Sequence, residues 1–194
     1  MGKIGSQIKA SFVLALGDNF YNTGVTSDTS SRFTNTWSSI YNTDSMKTLP
    51  WYILAGNHDH EGNVTAQIEY SKIDETKRWN FPDEFYTKSF TEDGISVDVI
   101  MIDTVDLCGT NAVQDIAVEG YFDALPSPNA AAPNANWQWI EDQLAASKAD
   151  YLFVGGHYPV YSVCQHGPTQ TLITNLQPLL QKYNAHYLSG HDHW

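Results

Sequence analysis

The sequence predicts an α/β protein, and three recurring patterns lead to that prediction. Four short apolar runs rich in β-prone residues each lead into glycine, as expected for strands buried on both faces of a sheet. Amphipathic helical patterns lie between these runs. Two further β-prone segments flank an Asp-Gly pair and predict a hairpin. Alternation of strands with helices is the signature of the α/β class.

The predicted strands and helices follow from these patterns one by one. The four buried strands are predicted at residues 12–16, 51–55, 151–155 and 185–189, and the hairpin at residues 87–90 and 97–102. Phe33, Trp37, Ile40 and Tyr41 have helical spacing, with Ser30 or Ser31 as the N-cap. A second helix is predicted over residues 137–144, capped by Asn136.

A third helical stripe runs from Leu172 to Tyr183, and Pro178 is expected to kink it or to begin a separate helix. Residues 125–136 are rich in Pro, Ala, Asn and Ser and predict a long exposed loop. With no boundary signal and no fixed-period repeat, we expect a single domain over residues 1–194.

Composition excludes two classes of function. Ten basic and 22 acidic residues give a formal net charge of -12, whereas binding to nucleic acid through phosphate contacts needs clustered Lys and Arg. The longest apolar runs are five residues long, while a membrane-spanning helix needs about 20. The N-terminus has no apolar segment that predicts a secretory signal. We therefore expect neither a nucleic-acid partner nor a membrane span.

The most informative feature is that metal-ligating side chains follow the glycine at the end of each buried strand. The four motifs are Gly17-Asp18-Asn19-Phe20-Tyr21, Gly56-Asn57-His58-Asp59, Gly156-His157 and Gly190-His191-Asp192-His193. Ligand sites in open α/β sheets lie at the carboxyl ends of strands. Four such ends are therefore expected to converge on one site.

The types of ligand in these motifs indicate the metal. A mixture of carboxylate, amide, phenol and imidazole suits iron, zinc or manganese better than calcium or magnesium alone. Asp18 is the natural bridge between two ions, and two ions can bind a phosphoryl group and activate water. A phenolate such as Tyr21 favours a ferric ion at one position. His60 and His186 have no spacing that demands a role, and both are expected to be structural.

The chain resembles the purple acid phosphatases of the small, tartrate-resistant type, within the calcineurin-like metallophosphoesterases. The resemblance rests on the four strand-end motifs together with Arg78-Trp79-Asn80-Phe81-Pro82, His157-Tyr158-Pro159-Val160 and His166-Gly167-Pro168-Thr169. It implies a β-sandwich flanked by helices in four layers. It also implies a ferric ion paired with divalent iron, zinc or manganese, and the hydrolysis of phosphate monoesters at acid pH.

The resemblance assigns roles to eight residues. It implies that Tyr21, His193 and the bridging Asp18 bind the ferric ion, and that Asp18, Asn57, His157 and His191 bind the divalent ion. His58 corresponds to the residue that hydrogen-bonds the substrate phosphate, and His166 to its partner near the leaving group. Imidazoles can donate protons to phosphate or to a departing alkoxide.

The chain departs from the family pattern at its ends and at cysteine. The family begins with an Asp-x-Gly strand and continues beyond Gly-His-x-His, so we expect a fold that is incomplete at both ends. Cys108 matches a family cysteine whose usual partner position is Thr171, with Cys164 nearby. A Cys108–Cys164 bridge and a pair of reduced thiols are both compatible with the sequence.

Three functions remain open from the sequence alone. The first is an acid phosphatase, implied by the resemblance to be secreted or lysosomal/vesicular, monomeric if complete, and a glycoprotein if Asn63-Val64-Thr65 is modified. The second is a manganese or zinc phosphodiesterase or nucleotidase, against which Tyr21 counts. The third is a non-catalytic or vestigial metal-binding fragment, which the missing family aspartate and the missing C-terminal strands support.

Overall fold

Two β-sheets and their flanking helices form the framework of the chain, which confirms the predicted fold class. The computed structural model describes residues 1–108 and 133–193. Within them the chain divides into two compact units, Met1–Asp83 and Glu84–Trp194. The prediction of a single domain over residues 1–194 stays a prediction.

The first unit contains a parallel three-stranded sheet in the order β1-β2-β3. Its strands are β1 (Val13–Leu16), β2 (Trp51–Leu54) and β3 (Trp79–Asn80). Its α-helices are α1 (Gly2–Ile8), α2 (Asn57–His60) and α3 (Val64–Ile73). The strands expected at residues 12–16 and 51–55 are therefore confirmed, each within one residue of its predicted bounds.

An aromatic cluster forms the core of this unit. Phe33 stacks on Tyr70 with ring centres 3.7 Å apart, and Trp79 meets Trp37 edge-on at 5.0 Å. Phe20 packs against Phe33 and Trp79 at 5.1 and 5.5 Å. Such pairs add to the free energy gained from burying the rings, so the segment containing Phe20 is firmly held.

The first helical pattern folds as a π-helix, Phe33–Ser38, and not as the expected α-helix. The Ser39 N–H donates to the carbonyl of Thr34 at 3.0 Å, five residues back. Phe33 and Trp37 are buried as predicted, whereas Ile40 is 62% exposed. The wider turn rotates later residues away from the core, and neither predicted serine caps the helix.

The second unit contains a four-stranded sheet in the order β4-β5-β6-β7. Its strands are β4 (Tyr86–Glu92), β5 (Ile95–Met101), β6 (Tyr151–Gly155) and β7 (His186–Leu188), and its helices are α4 (Thr104–Cys108), α5 (Pro133–Ala146) and α6 (Gln170–Tyr183). β4 and β5 form the predicted hairpin, with Asp93 and Gly94 both at positive φ in the turn. β5, β6 and β7 pair in parallel.

Helices α5 and α6 refine two predictions. α5 begins at Pro133, earlier than the expected cap at Asn136, because proline suits the first position of a helix. Residues 133–136 are therefore helical, and the rest of the predicted loop lies outside the described residues. α6 is one continuous helix that contains Pro178 on its exposed side, with Leu172 and Leu176 buried as predicted.

The core of the second unit lies between its sheet and these helices. It consists of fully or nearly buried aliphatic side chains from both, including Ile100, Ile102, Ile140, Leu144, Leu172 and Leu176. The carboxyl ends of β6 and β7 are thereby held in place. No helix among the described residues is long and apolar enough to cross a membrane.

Both cysteines are free thiols, so the hypothetical Cys108–Cys164 bridge is not formed. Burial and, to a smaller extent, the charge of Asp103 raise the pKa of the Cys108 thiol to about 12. The Thr171 hydroxyl forms a hydrogen bond with this thiol. Thr171 is the position at which the resemblance placed the usual partner of Cys108, so a hydroxyl stands there in place of a sulfur.

We expect Thr171→Cys to form a disulfide with Cys108. Closing a loop of about 60 residues should stabilise the chain by about 4 kcal/mol through the lost entropy of the unfolded state. Thiol titration and the melting temperature with and without reducing agent measure this. Ser162→Cys, which also adds a third cysteine, is the control and should give no reductant-sensitive gain. One free thiol is expected in Thr171→Cys and three in the control; three free thiols in both variants would contradict the expectation.

Candidate metal centre

Two turns in the first unit carry four of the predicted site residues. β1 and β2 are neighbouring parallel strands with Leu16 opposite Leu54, so their carboxyl ends lie side by side. Asp18 follows β1, and Asn57 is the first residue of α2, directly after β2. This is the arrangement that the strand-end motifs predicted for this unit.

Asp18 is the centre of the first group of side chains. Its Oδ2 accepts a hydrogen bond from the Tyr21 hydroxyl at 2.8 Å, and its Oδ1 accepts one from the His58 N–H at 3.1 Å. The φ angle of Asp18 is 53°, in the left-handed region that few residues other than glycine adopt. Backbone strain of this kind is concentrated at functional sites.

Tyr21 and His58 pack against each other beside Asp18. Their ring centres are 4.8 Å apart, and Tyr21 is 42% exposed. Partial burial and the negative charge of Asp18 raise the pKa of Tyr21 well above its ordinary value. The phenol therefore stays protonated unless a cation replaces its proton.

A backbone carbonyl fixes the tautomer of His58. The Nδ1 atom lies 2.5 Å from the Asn22 carbonyl oxygen, and a carbonyl can only accept, so Nδ1 carries a proton. Nε2 is then the nitrogen left for substrate.

The segments that follow β6 and β7 in the second unit carry the remaining residues. His157 follows β6 and is 1% exposed, and His191 follows β7. The backbones of these segments are joined, because Gly190 N–H donates to the His157 carbonyl at 3.0 Å and Gly156 N–H donates to the Leu188 carbonyl at 3.0 Å. His191 has a φ of 72°, a second strained backbone position at a predicted ligand.

The separation of two imidazole nitrogens tests whether this unit could hold a metal. His157 Nε2 and His191 Nδ1 are 3.1 Å apart. When two nitrogens bind the same ion at about 2.0–2.1 Å with an N–metal–N angle of about 90–110°, the nitrogens are separated by roughly 3 Å. The pair therefore fits a shared metal ion, and the distance equally suits a hydrogen bond between the rings.

His166 and His193 line a pocket together with Gln165 and Asp192. The His166 ring centre is 4.1 Å from that of His191. Asp192 accepts a hydrogen bond from the backbone N–H of His166 at 3.3 Å. Burial opposes ionisation of Asp192, but hydrogen bonds from Ser162 and His166 outweigh it and lower the pKa of the carboxyl.

The structure thus groups the eight predicted residues by unit: Asp18, Tyr21, Asn57 and His58 in the first, and His157, His166, His191 and His193 in the second. His60 ends α2, and His186 begins β7 with its ring 5.2 Å from that of Phe153. Their expected structural role stays a prediction.

Sequence reasoning gave no role to three polar residues that support these groups, namely Asn19, Asp59 and Asp192. Asn19 and Asp59 are hydrogen-bonded to each other across 40 positions of sequence. The signal that could have found them was present, since each stands inside a strand-end motif. Burial sets Asp59 apart, because its side chain is completely inaccessible to solvent.

Comparison with known proteins identifies the family. A family model described as calcineurin-like phosphoesterase matches residues 1–194. The chain belongs to the calcineurin-like phosphoesterases. This confirms the family implied by the strand-end motifs.

Several calcineurin-like phosphoesterases are closely similar to the chain. Tartrate-resistant acid phosphatase type 5 of Oryctolagus cuniculus is 44% identical over 198 residues, which cover 100% of this chain and 58% of that protein. The Homo sapiens protein of the same name is 46% identical, with 95% and 55% covered. Purple acid phosphatase 17 of Arabidopsis thaliana is 32% identical, with 100% and 55% covered. The chain therefore spans little more than half the length of these relatives.

A solved structure shares the fold. It is described as "GAP50 the anchor in the inner membrane complex of Plasmodium", and it superposes with a TM-score of 0.78 at 25% identity. The superposition covers 98% of this chain and 58% of that one. A protein of this fold is thus described as an anchor, while the relatives above are named as acid phosphatases.

Proposed function

We propose that the chain carries the metal centre of an acid phosphatase that hydrolyses phosphate monoesters. The observation that carries this proposal is the Tyr21 hydroxyl at 2.8 Å from the Asp18 carboxylate. A phenol beside a bridging carboxylate favours a ferric ion over a site built for manganese or zinc alone. The names of the relatives support the same activity.

The proposed metals are a ferric ion and a divalent iron, zinc or manganese ion. We assign the ferric ion to Asp18, Tyr21 and His193, and the divalent ion to Asp18, Asn57, His157 and His191. Within the second unit, the 3.1 Å separation of His157 Nε2 and His191 Nδ1 supports a shared ion. The two ions, when bound, supply positive charge to the phosphoryl group and acidify a water molecule.

Two histidines carry the proton chemistry in this proposal. His58 holds its Nδ1 proton on the Asn22 carbonyl, which leaves Nε2 for the substrate. Nε2 donates to a phosphate oxygen when both ring nitrogens carry a proton. His166 is held through its backbone by Asp192, and it is assigned the proton for the departing alkoxide. Donors fixed before the reaction stabilise developing charge without reorganising.

The proposal extends to location and substrate. We propose a secreted or lysosomal/vesicular acid phosphatase, following the family resemblance and the exposed sequon at Asn63. Phosphate monoesters are the substrate class. At long range the net charge of -12 repels phosphate, so the bound cations must dominate locally.

A metal-loaded sample tests the proposal directly. After loading with iron and zinc, we expect two metals per chain, a visible tyrosinate-to-iron band and hydrolysis of p-nitrophenyl phosphate at acid pH. Tyr21→Phe should abolish the visible band, because the phenolate is the chromophore. Tyr151→Phe removes an exposed hydroxyl at the start of β6 and should leave the band unchanged. A visible band that survives Tyr21→Phe would refute the ferric assignment.

A non-catalytic binding protein is the second candidate, because a structure described as an anchor shares this fold. The same sample separates the two functions. Metal binding without turnover above that of buffer would favour the binding protein. Turnover that depends on the bound metal would exclude it.

A further inference from the structure

Asp59 is a fully buried carboxylate for which the proposed reaction has no direct use. It is 0% exposed, and burying a carboxylate is costly unless hydrogen bonds compensate. Burial raises its pKa, and hydrogen bonds from Gly56, Gln67 and Asn19 oppose the rise. A protein retains such a group only where its hydrogen bonds accomplish something that an apolar side chain would not.

The donors to Asp59 come from both turns that carry predicted ligands in this unit. Its Oδ2 accepts from the backbone N–H of Asn19 at 3.0 Å and from that of Gly56 at 2.9 Å. Asn19 directly follows Asp18, and Gly56 directly precedes Asn57. One oxygen atom therefore joins the two turns next to their ligands.

Side-chain hydrogen bonds complete the connection. The Asn19 Nδ2 donates to Asp59 Oδ2 at 3.1 Å and to the Leu54 carbonyl, at the end of β2, at 2.9 Å. The Gln67 Nε2, from α3, donates to Asp59 Oδ1 at 2.8 Å. The hydrogen bond from Gln67 in α3 therefore holds Asp59 in place, and Asp59 in turn holds the turns that contain Asn19 and Gly56. These donors are all uncharged amides.

We propose that Asp59 is a positioning residue that sets the relative placement of Asp18 and Asn57 for metal binding. The inference rests on the proposed function, since it takes both residues as ligands. The physical reason is that a carboxylate accepts hydrogen bonds from several N–H groups at once. The ligand side chains on the two turns are then already in place when an ion binds, so binding does not lose the conformational entropy of ordering them.

Asp59→Asn, with Asp74→Asn as its matched control, tests this role. Asp74 is 4% exposed and likewise accepts backbone N–H bonds, from Thr76, Arg78 and Trp79 at 2.9 Å each. Both variants change one buried oxygen into a donor, and both should lower the melting temperature. Only Asp59→Asn should weaken Zn²⁺ binding by isothermal titration calorimetry, by about tenfold or more, as for other partners of metal ligands.

A second substitution provides a rescue. In Asp59→Asn the new amide meets the Gln67 amide, which cannot simply turn over because its Oε1 accepts from Asn19 Nδ2 at 3.4 Å. Gln67→Glu supplies a carboxylate that accepts from both. The double variant Asp59→Asn/Gln67→Glu should therefore recover Zn²⁺ affinity.

The measurements distinguish a failure of the positioning role of Asp59 from a failure of the proposed function. Wild-type Zn²⁺ affinity in Asp59→Asn, or an equal loss in Asp74→Asn, overturns the positioning role while the phosphatase proposal stands. If the wild-type chain binds no metal, the proposed function fails, and hydrogen exchange then decides on Asp59. Faster exchange at residues 17–19 and 56–58 in Asp59→Asn alone supports the placement of the turns, and unchanged exchange overturns it.

Discussion

Replacing Asp18 with alanine is expected to reduce phosphatase turnover by at least about a thousandfold, the scale of losing transition-state charge stabilisation from a metal centre. The carboxylate is the only residue assigned to both ions. It also receives the Tyr21 hydroxyl at 2.8 Å and the His58 N–H at 3.1 Å. Its loss therefore removes a ligand and releases two neighbouring residues together.

Turnover of p-nitrophenyl phosphate, with metal content measured on the same sample, checks this expectation. Asp44→Ala is the matched control, because Asp44 is an exposed carboxylate paired with Lys47. An exposed pair of this kind contributes little to stability, so this variant should keep full activity and metal content. More than a tenth of wild-type turnover in Asp18→Ala would be incompatible with a bridging role.

Of the substitutions predicted here, Gly156→Ala should cause the largest loss of stability. A methyl group there would clash with the Tyr187 hydroxyl and would lie 2.7 Å from Thr104 Cγ2. Neither neighbour can easily move, because the Tyr187 hydroxyl donates to the Tyr158 carbonyl at 2.7 Å and the Thr104 hydroxyl accepts from the Tyr158 N–H at 3.0 Å. Overpacking of a rigid site lowers the free energy of unfolding by about 3 kcal/mol. The substitution lies directly before His157, one of the proposed metal ligands.

Thermal unfolding measures the effect, which corresponds to a fall in melting temperature of about 6–12 °C. Gly5→Ala is the control, since its new methyl group meets the flexible end of Met46 at 3.2 Å and Ala10 Cβ at 4.0 Å, an ordinary contact distance. Thr104→Ser removes the Cγ2 atom and keeps the hydroxyl, so it should recover part of the loss. A melting temperature of Gly156→Ala equal to that of Gly5→Ala would show that the turn can expand.

The strands were predictable because short, continuous apolar runs that end in glycine are typical of buried strands. β6 has its predicted bounds, and the Asp93-Gly94 pair between two β-prone segments located the hairpin. The π-helix was not predictable, since Phe33 and Trp37 fit an α-helical period equally well. The backbone hydrogen bond from Ser39 to Thr34 and the exposure of Ile40 distinguish the two, and neither is visible in the sequence.

The family and the candidate ligands could also be read from the sequence, because each ligand stands beside a strand-end glycine. The supporting residues stand in the same motifs, but the hydrogen bonds through which they act could not be read from the sequence. Asp59 lies 40 residues from Asn19, and Cys108 lies far from Thr171. Such contacts depend on how the elements pack, which periodicity does not report. The metal-binding and catalytic roles of the eight residues remain predictions.

Because both cysteines are free thiols, reduction of the proposed iron can be studied apart from reduction of a disulfide. Cys108 is partly buried beside a hydroxyl, and no disulfide joins the two cysteines. A reductant such as ascorbate can therefore be used to vary the oxidation state of the proposed iron without cutting a disulfide in the scaffold. A change in spectrum or turnover under such treatment would then not arise from the reduction of a disulfide between these two cysteines.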